Sequence, residues 1–176
     1  MRRTFGIVLA ILGLVVNSVV VNADETSDAK KAIQAQYNAH ITAHHKKDAK
    51  ALLAGYSKDY IGVSAGGTKR TYAQLEKEMG IVFTYLKTFK GTISIQKLTL
   101  KGNQATVVTK EHAEFSISNP QTQKTVELIV DETNEDVWAK SGKIWLKKAS
   151  KNLTNKTKMD GKEVDVKAIS MKKAKN

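Results

Sequence analysis

Two histidines of this sequence have the spacing and chemistry to move protons. His40 and His44 are four positions apart, so on a helix they lie on one face. Imidazole titrates near neutral pH, and we predict His40 as a catalytic acid or base. The same spacing can hold a metal ion, but His112 or Glu114 would have to supply a third ligand. Since no HExxH-type motif supports that arrangement, we expect neither a metal nor another cofactor.

An aspartate that continues a buried strand face is the second catalytic candidate. Alternate residues from Val126 to Val130 are apolar, and the same phase continues as Glu132, Asn134, Asp136 and Trp138. Polar groups on a core-facing phase must find partners or line a wet cavity. We therefore predict a polar pocket floor with Asp136 as its acid. The alternative is a β-bulge that turns Glu132 and Asn134 to solvent.

The predicted ligand-binding residues are aromatic or polar side chains from several parts of the chain. Aromatic residues in such positions either wall a pocket or simply pack in the core. A Ser-His-Asp set from Ser64, His40 and Asp136 is also open, although nothing in the spacing favours it. The full ligand-binding set is Tyr37, His44, Tyr56, Tyr60, Ser64, His112 and Trp138.

Three helices are predicted in the first half of the chain. Residues 24–47 carry an apolar stripe at i, i+4 and i+8, with the two histidines on the same side. A short helix follows over 49–55, and then a strand over 59–65. Thr71 opens the third helix, because Gln74 three residues later completes a capping box.

Strands are predicted from Gly91 onward, where the apolar period changes to two. The alternation slips by one residue between Ile95 and Leu98, which indicates a β-bulge. Gly102 lies in a hairpin turn, and further strands cover 105–118, 125–140 and 143–153. Beyond Asn155 we expect an irregular Lys-rich tail with a short strand over 163–166. Helices followed by a meander of long strands predict an α+β domain.

The amino-terminal residues predict export. Arg2 and Arg3 precede an apolar run, and Val21-Asn22-Ala23 resembles a signal-peptidase site. The run is shorter than the roughly 20 apolar residues of a membrane-spanning helix. We therefore expect residues 1–23 to be a cleaved secretory signal, with no stable membrane anchor afterwards. The destination would be periplasmic or extracellular.

The composition narrows the classes of partner. The chain carries a formal charge of +12 and no cysteine, and its excess of cations is almost entirely lysine. Arg70 is the only arginine after the signal, and no basic run is interleaved with aromatic residues. Nucleic-acid sites favour arginine because its planar group pairs bidentately, so we expect no nucleic-acid partner.

Several motifs together resemble the nuclear transport factor 2-like superfamily, including its SnoaL-like domains of unknown function. The segment Ile33 to Leu53 resembles the first two helices of that family. The sequence from Tyr56 to Tyr60 resembles its entry into the first strand, followed by the Gly66-Gly67 turn. The sequence from Asp136 to Trp145 resembles its closing hairpin.

The resemblance implies a cone-shaped, strongly curved, mostly antiparallel sheet packed against three N-terminal helices, with a pocket at the open end. The domain would cover residues 24–158, and a Lys-rich tail would cover 159–176. Against ketosteroid isomerase, the family's tyrosine donor falls on His40, its base near Ser64 and its second acid near Asp136. Serine cannot abstract a proton from carbon unaided, which argues against that particular reaction.

The sequence therefore predicts an exported domain that binds a small, largely apolar molecule, with lyase or isomerase activity left open. The alternative is a non-catalytic homodimeric assembly module. On the last strands, Lys147 and Lys151 favour a solvated face, whereas Trp145 and Leu153 favour contact with a second copy. This divided pattern leans slightly towards a homodimer.

Overall fold

A computed structural model of the chain describes residues 23–119 and 122–165. The predicted secretory signal lies outside these residues except for Ala23, and so does the tail from residue 166 onward.

Three helices lead the fold: α1 (Ala23–Lys46), α2 (Ala49–Leu53) and α3 (Tyr72–Tyr85). Helix α1 buries Ile33 and Tyr37, as the predicted stripe requires. It ends where Lys47 adopts a positive φ of 52°. Asp48 then caps α2 by accepting a hydrogen bond from the backbone N–H of Ala51 at 2.9 Å. The two helices are therefore held at a tight corner.

The remaining elements form one sheet of seven strands within the described residues. Its order is β2-β1-β6-β5-β4-β3, with β7 pairing the far end of β6. All pairs are antiparallel except β1 with β6. The predicted α+β class, with a curved, mostly antiparallel sheet after three helices, is confirmed. The strands are β1 (Tyr56–Val63), β2 (Lys69–Thr71), β3 (Leu86–Lys101), β4 (Gln104–Ser118), β5 (Thr125–Ser141), β6 (Ile144–Met159) and β7 (Lys162–Val164).

The predicted bulge in β3 is present. Ile95 pairs with Thr109 and Lys97 pairs with Val108, so Gln96 is the extra residue. The predicted β3–β4 hairpin is also present, and Gly102 there has a φ of 56°.

Two further bulges lie on β6 rather than on β5. The pairing of β5 with β6 skips Leu153 at one shift and Lys148 at the other. The inward phase of β5 therefore continues unbroken, and Asn134 is buried. The alternative in which a bulge turns Asn134 to solvent is wrong. The expectation that Lys147 is solvated is also wrong, because this side chain faces the interior.

The core consists of two apolar clusters that contact α1 at different positions along its length. One joins Ile33 of α1 to Val107 of β4 and to the two tryptophans, Trp138 and Trp145. The other joins α2 and α3 to Leu86 at the start of β3. Trp145 is thus a packing residue rather than an exposed contact surface. Helix α1 contributes to both clusters, with Ile33 and Tyr37 in the first and Ala43 in the second.

The sheet extends beyond residue 158. A turn at Asp160 and Gly161 leads into β7, which pairs with residues Thr157 to Met159 of β6. The short strand predicted over 163–166 lies at Lys162–Val164. Among the described residues, no helix is long and apolar enough to cross a membrane.

Substitution Thr71→Ala should lower the free energy of unfolding by about 1 kcal/mol, because it removes the cap of α3. Thr71 and Gln74 satisfy each other's backbone N–H groups at 3.3 and 2.8 Å. Urea unfolding measures the effect. The control is Thr84→Ala, an exposed site in the same helix, which should change stability by less than about 0.5 kcal/mol. Equal effects of the two substitutions would contradict the capping role.

Candidate functional site

A buried ion pair lies at the centre of the domain. Lys147 Nζ is 2.7 Å from Asp136 Oδ2, and the two side chains are 8% and 0% exposed. Lys147 pairs with Trp138 of β5 on one side and with Tyr56 of β1 on the other. The lysine therefore lies on a central strand of the sheet, flanked by a paired strand on each side.

Helix α1 adds a hydrogen bond to this ion pair through Tyr37. Tyr37 donates a 2.6 Å hydrogen bond to Asp136 Oδ2, and Trp138 Nε1 donates a 3.1 Å hydrogen bond to the Tyr37 hydroxyl. Lys147 Nζ lies 4.9 Å from the ring centre of Tyr37, 5.3 Å from that of Trp138 and 5.6 Å from that of Tyr56. Ring faces attract cations, so the three aromatic side chains favour the charged lysine.

The protonation states follow from burial and from this charge pair. Burial by itself lowers the pKa of Lys147, but the Asp136 carboxylate, Tyr56, Tyr37 and Glu111 together outweigh it and leave this pKa well above its usual value. Burial raises the pKa of both the Tyr37 and the Tyr56 hydroxyls. At neutral pH both tyrosines are therefore hydrogen-bond donors.

A small cavity of about 20 Å³ lies beside the pair, with room for about one water molecule. Four predicted site residues border it: Tyr37, His40, Tyr56 and Trp138. Burial, Lys147 and His44 hold the pKa of His40 well below its usual value, so its imidazole is neutral. Tyr56 Oη lies 3.4 Å from His40 Nδ1. Asp136 borders neither this cavity nor the larger one.

A larger cavity of about 440 Å³ opens between α1 and the inner face of β3 to β7. Most of its walls are apolar, and the polar side chains gather around two glutamates. The main apolar residues are Ile41, Phe89, Phe115, Leu128, Val130 and Met159. A volume of this size is typical of small-molecule sites.

The polar floor of the large cavity contains two carboxylates. Glu111 of β4 lies directly opposite Glu132 of β5 in the strand register. Thr109 donates a 3.0 Å hydrogen bond to Glu111, while Glu132 accepts from the amides of Asn155 and Asn134. Burial raises the pKa of Glu111 above its ordinary value, whereas Lys147 acts to lower it. Glu111 is thus tuned by the ion pair behind it.

His44 forms the roof of the same cavity. Its ring stacks on Phe89 with centroids 4.6 Å apart, and burial lowers its pKa. His44 Nδ1 lies 3.0 Å from the His40 carbonyl oxygen. A carbonyl only accepts hydrogen bonds, so Nδ1 carries the proton and Nε2 is a free base. The His40 and His44 rings are 4.8 Å apart, but no metal-binding group of three such side chains forms among residues 23–119 and 122–165.

The other predicted ligand-binding residues lie in different surroundings. His112 borders the large cavity, but its two ring nitrogens contact Asp131 at 2.8 Å and Glu114 at 3.3 Å. Tyr60 is buried and packs edge-on against Tyr56. Ser64 is exposed in the turn before β2 and borders neither cavity. The structure therefore does not bring Ser64 into either site with His40 or Asp136.

Sequence reasoning missed Glu111 and Lys147. Glu111 shares the strand phase of Thr109, Ala113 and Phe115, which is the same signal that identified Asp136. The same alternation of residues, followed along β4, would have identified Glu111. Lys147 gave no such signal, because the bulges of β6 become apparent only when β6 is paired with β5.

Solved structures reveal proteins to which this chain is similar, whereas sequence comparison reveals none. No protein-family model matches this chain, and no curated protein sequence matches it. The chain is similar to a scytalone dehydratase-like protein from Novosphingobium aromaticivorans, with 15% identity and a TM-score of 0.66 over 77% of this chain and 90% of that one. It is also similar to a ketosteroid isomerase-like protein from Erwinia carotovora atroseptica, with 18% identity and a TM-score of 0.54 over 72% and 98%.

A third similar structure is the type 2 hexachlorocyclohexane dehydrochlorinase LinA, with 8% identity and a TM-score of 0.59 over 80% and 91% of the two chains. These neighbours belong to the nuclear transport factor 2-like superfamily. The chain therefore has the nuclear transport factor 2-like fold, as its motifs indicated. At such low identity the likeness establishes the fold and leaves the activity open.

Substitution Lys147→Met should lower the free energy of unfolding by about 3–5 kcal/mol, because it leaves Asp136 buried without its counter-charge. Adding Asp136→Asn should restore most of that loss, since the neutral amide still accepts from Tyr37. Urea unfolding of the single and double variants measures the coupling.

Lys148→Met is the matched control, because Lys148 pairs with Asp59 on the surface. Its effect should be far smaller than that of Lys147→Met. A double variant as unstable as the sum of both single variants would contradict direct coupling between Asp136 and Lys147.

Proposed function

We propose that this protein is exported and binds a small, largely apolar molecule in the large cavity, where it catalyses a lyase or isomerase reaction. The observation that carries this proposal is a cavity of about 440 Å³ lined by the half-buried carboxyl group of Glu111, whose pKa is raised. A proton-transferring group in an apolar cleft, with its pKa shifted towards neutral pH, suits general acid–base catalysis.

The shape and lining of the cavity support an apolar ligand body. Phe89, Phe115 and Leu128 present carbon surface, and the His44 ring extends the aromatic wall by stacking on Phe89. Burial of apolar surface contributes roughly 25 cal/mol per Å². A ligand that fills this end would therefore gain affinity without any charged contact.

Glu111 and His44 divide the proton chemistry in this proposal. Glu111 removes a proton from carbon, because its raised pKa makes its carboxylate a stronger base than an exposed one. His44 is neutral, and its Nε2 accepts that proton from Glu111 and returns it to the departing hydroxide in an elimination or to another carbon of the ligand in an isomerisation. Asp136 and His40, the predicted catalytic residues, do not line the large cavity and would act on it indirectly. Asp136 does so by holding Lys147, whose charge tunes Glu111.

The structural neighbours make this reaction class reasonable. Their names include a dehydratase, an isomerase and a dehydrochlorinase. Loss of water and loss of hydrogen chloride both remove a proton and a neighbouring leaving group, and isomerisation moves a proton. A single carboxylate base serves all three reactions.

A non-catalytic assembly module is the alternative function. The observation in its favour is exposed apolar surface on the sheet, where Ile129, Ile144 and Leu153 are 36%, 50% and 44% exposed. Such residues favour contact with a second copy when they are contiguous. A native mass spectrum of a ligand-free dimer would support this alternative, and a monomer at high concentration would contradict it.

Substitution Glu111→Gln should reduce turnover by about 10²- to 10⁴-fold, because glutamine cannot accept a proton from carbon. The probe is the aldol adduct of benzaldehyde and acetone, which loses water to form benzalacetone with a strong ultraviolet band. Wild-type turnover should rise as pH increases through the raised pKa of Glu111, since the carboxylate is the active form.

Glu114→Gln is the matched control, because Glu114 is on the same strand with its side chain exposed and bonded to His112. It should keep wild-type turnover. Full activity in Glu111→Gln would contradict the assigned base. A wild-type protein that does not accelerate loss of water would contradict elimination chemistry.

Expression of the full chain in a secreting bacterial host should yield an exported protein that begins at Asp24. Intact-mass measurement checks this directly. The substitution Ala23→Arg places a large cation at the −1 position and should block cleavage, so the chain keeps residues 1–23. An exported wild-type chain that retains those residues would contradict signal cleavage.

A further inference from the structure

We propose that the ligand of the large cavity is a cationic amphiphile: an apolar body that carries an ammonium group, bound with that group against Glu132. This inference rests on the proposed function, because it assigns a substrate class to the same cavity. The observation behind it is the charge balance of the residues that line the cavity.

The cavity floor has negative charge that no lysine or arginine in its described lining offsets. Glu111 and Glu132 lie opposite each other, and no described residue that lines the cavity is Lys or Arg. Lys147 lies behind Glu111, but Asp136 already neutralises it at 2.7 Å. If Glu111 is protonated, Glu132 still leaves one negative charge. Like charges opposed across a strand pair are unfavourable, so the floor is stabilised by a cation.

The carboxyl group of Glu132 is held in place by two amide groups. Asn155 donates its amide to Oε1, and Asn134 donates to Oε2 at 3.4 Å. Two oxygens that each accept one such bond keep free lone pairs, which an ammonium group can use. Glu132 is therefore the fixed acceptor of the site.

The imidazoles at the border of the cavity do not supply the missing charge. His44 is neutral because burial lowers its pKa. His112 is paired with Asp131 and Glu114, and those two carboxylates exceed its single charge. Thr157 and Asn155 bond to each other at 2.8 Å and add no charge. A carboxylate ligand would thus meet only repulsion at this floor.

The opposite wall suits the apolar part of the same ligand. Phe89 stacks on His44, and Phe115 and Leu128 continue the carbon surface. An amine with an aromatic or branched aliphatic body can place its carbon atoms there and its nitrogen at Glu132. The two ends of the cavity thus favour opposite ends of one amphiphilic molecule.

Three probes of one shape test this assignment: naphthylmethylammonium, naphthylmethanol and naphthoate. They differ chiefly in the charge at one end, so their affinities separate charge recognition from apolar burial. Titration calorimetry and naphthyl fluorescence on the full mature chain measure binding. The ammonium probe should bind at least about tenfold more tightly than the alcohol, and the carboxylate probe should bind most weakly.

The variant Glu132→Gln should lose at least about tenfold in affinity for the ammonium probe and change its affinity for the alcohol less than about twofold. Glu135→Gln is the matched control, because it removes a carboxylate from an exposed position on the same strand, outside the cavity lining. It should leave all three affinities unchanged. Equal losses in the two variants would indicate a general effect of net charge and overturn the role of Glu132.

The outcomes separate this inference from the proposed function. If the alcohol binds as tightly as the ammonium probe, the cavity binds ligands without selecting a cation, and only this inference fails. If the carboxylate binds most tightly, the charge assignment is reversed and also fails. If none of the three binds, the cavity is not a site for molecules of this size, and the proposed function fails with the inference.

Discussion

The buried pair of Asp136 and Lys147 is the interaction on which the rest of the domain depends. Two charges removed from water are costly unless each has its partner and further hydrogen bonds. The structure meets that requirement at Asp136 Oδ2, to which Tyr37 donates while Trp138 donates to Tyr37, whereas Asp136 Oδ1 is buried without a hydrogen-bond partner among the described residues. These contacts join α1 to β5 and β6. The position of the first helix on the sheet is therefore set by a polar contact as well as by apolar packing.

The same pair divides the interior into two unequal spaces. On one side lies a cavity with room for about one water molecule, bordered by His40 and Tyr56. On the other side lies the large cavity with Glu111 at its floor. The positive charge of Lys147 lowers the pKa of Glu111, whereas burial raises it. The contacts of the buried pair thus hold α1 on the sheet, and its charges shift the pKa of Glu111.

Much of the fold could be predicted because its signals are local. The stripe of α1, the cap at Thr71 and the change to a period of two each depend on residues close together in sequence. The slip after Ile95 is also local, because a break in alternation reveals a bulge within one strand. Lys147 is the opposite case. The bulges of β6 leave no comparable break among its mixed lysines and asparagines, so its inward face could not be identified beforehand.

Local sequence patterns were enough to establish the class of the domain, the phase of β5 and the set of polar residues available for a site. Periodicity reports which residues share a face, and that holds before any strand is paired. Which of those residues meet depends on the tertiary structure. The register of β4 on β5 placed Glu111 opposite Glu132, and the bulges of β6 turned Lys147 towards Asp136. Such juxtapositions depend on strand pairing between distant segments, and residue spacing carries no record of that pairing.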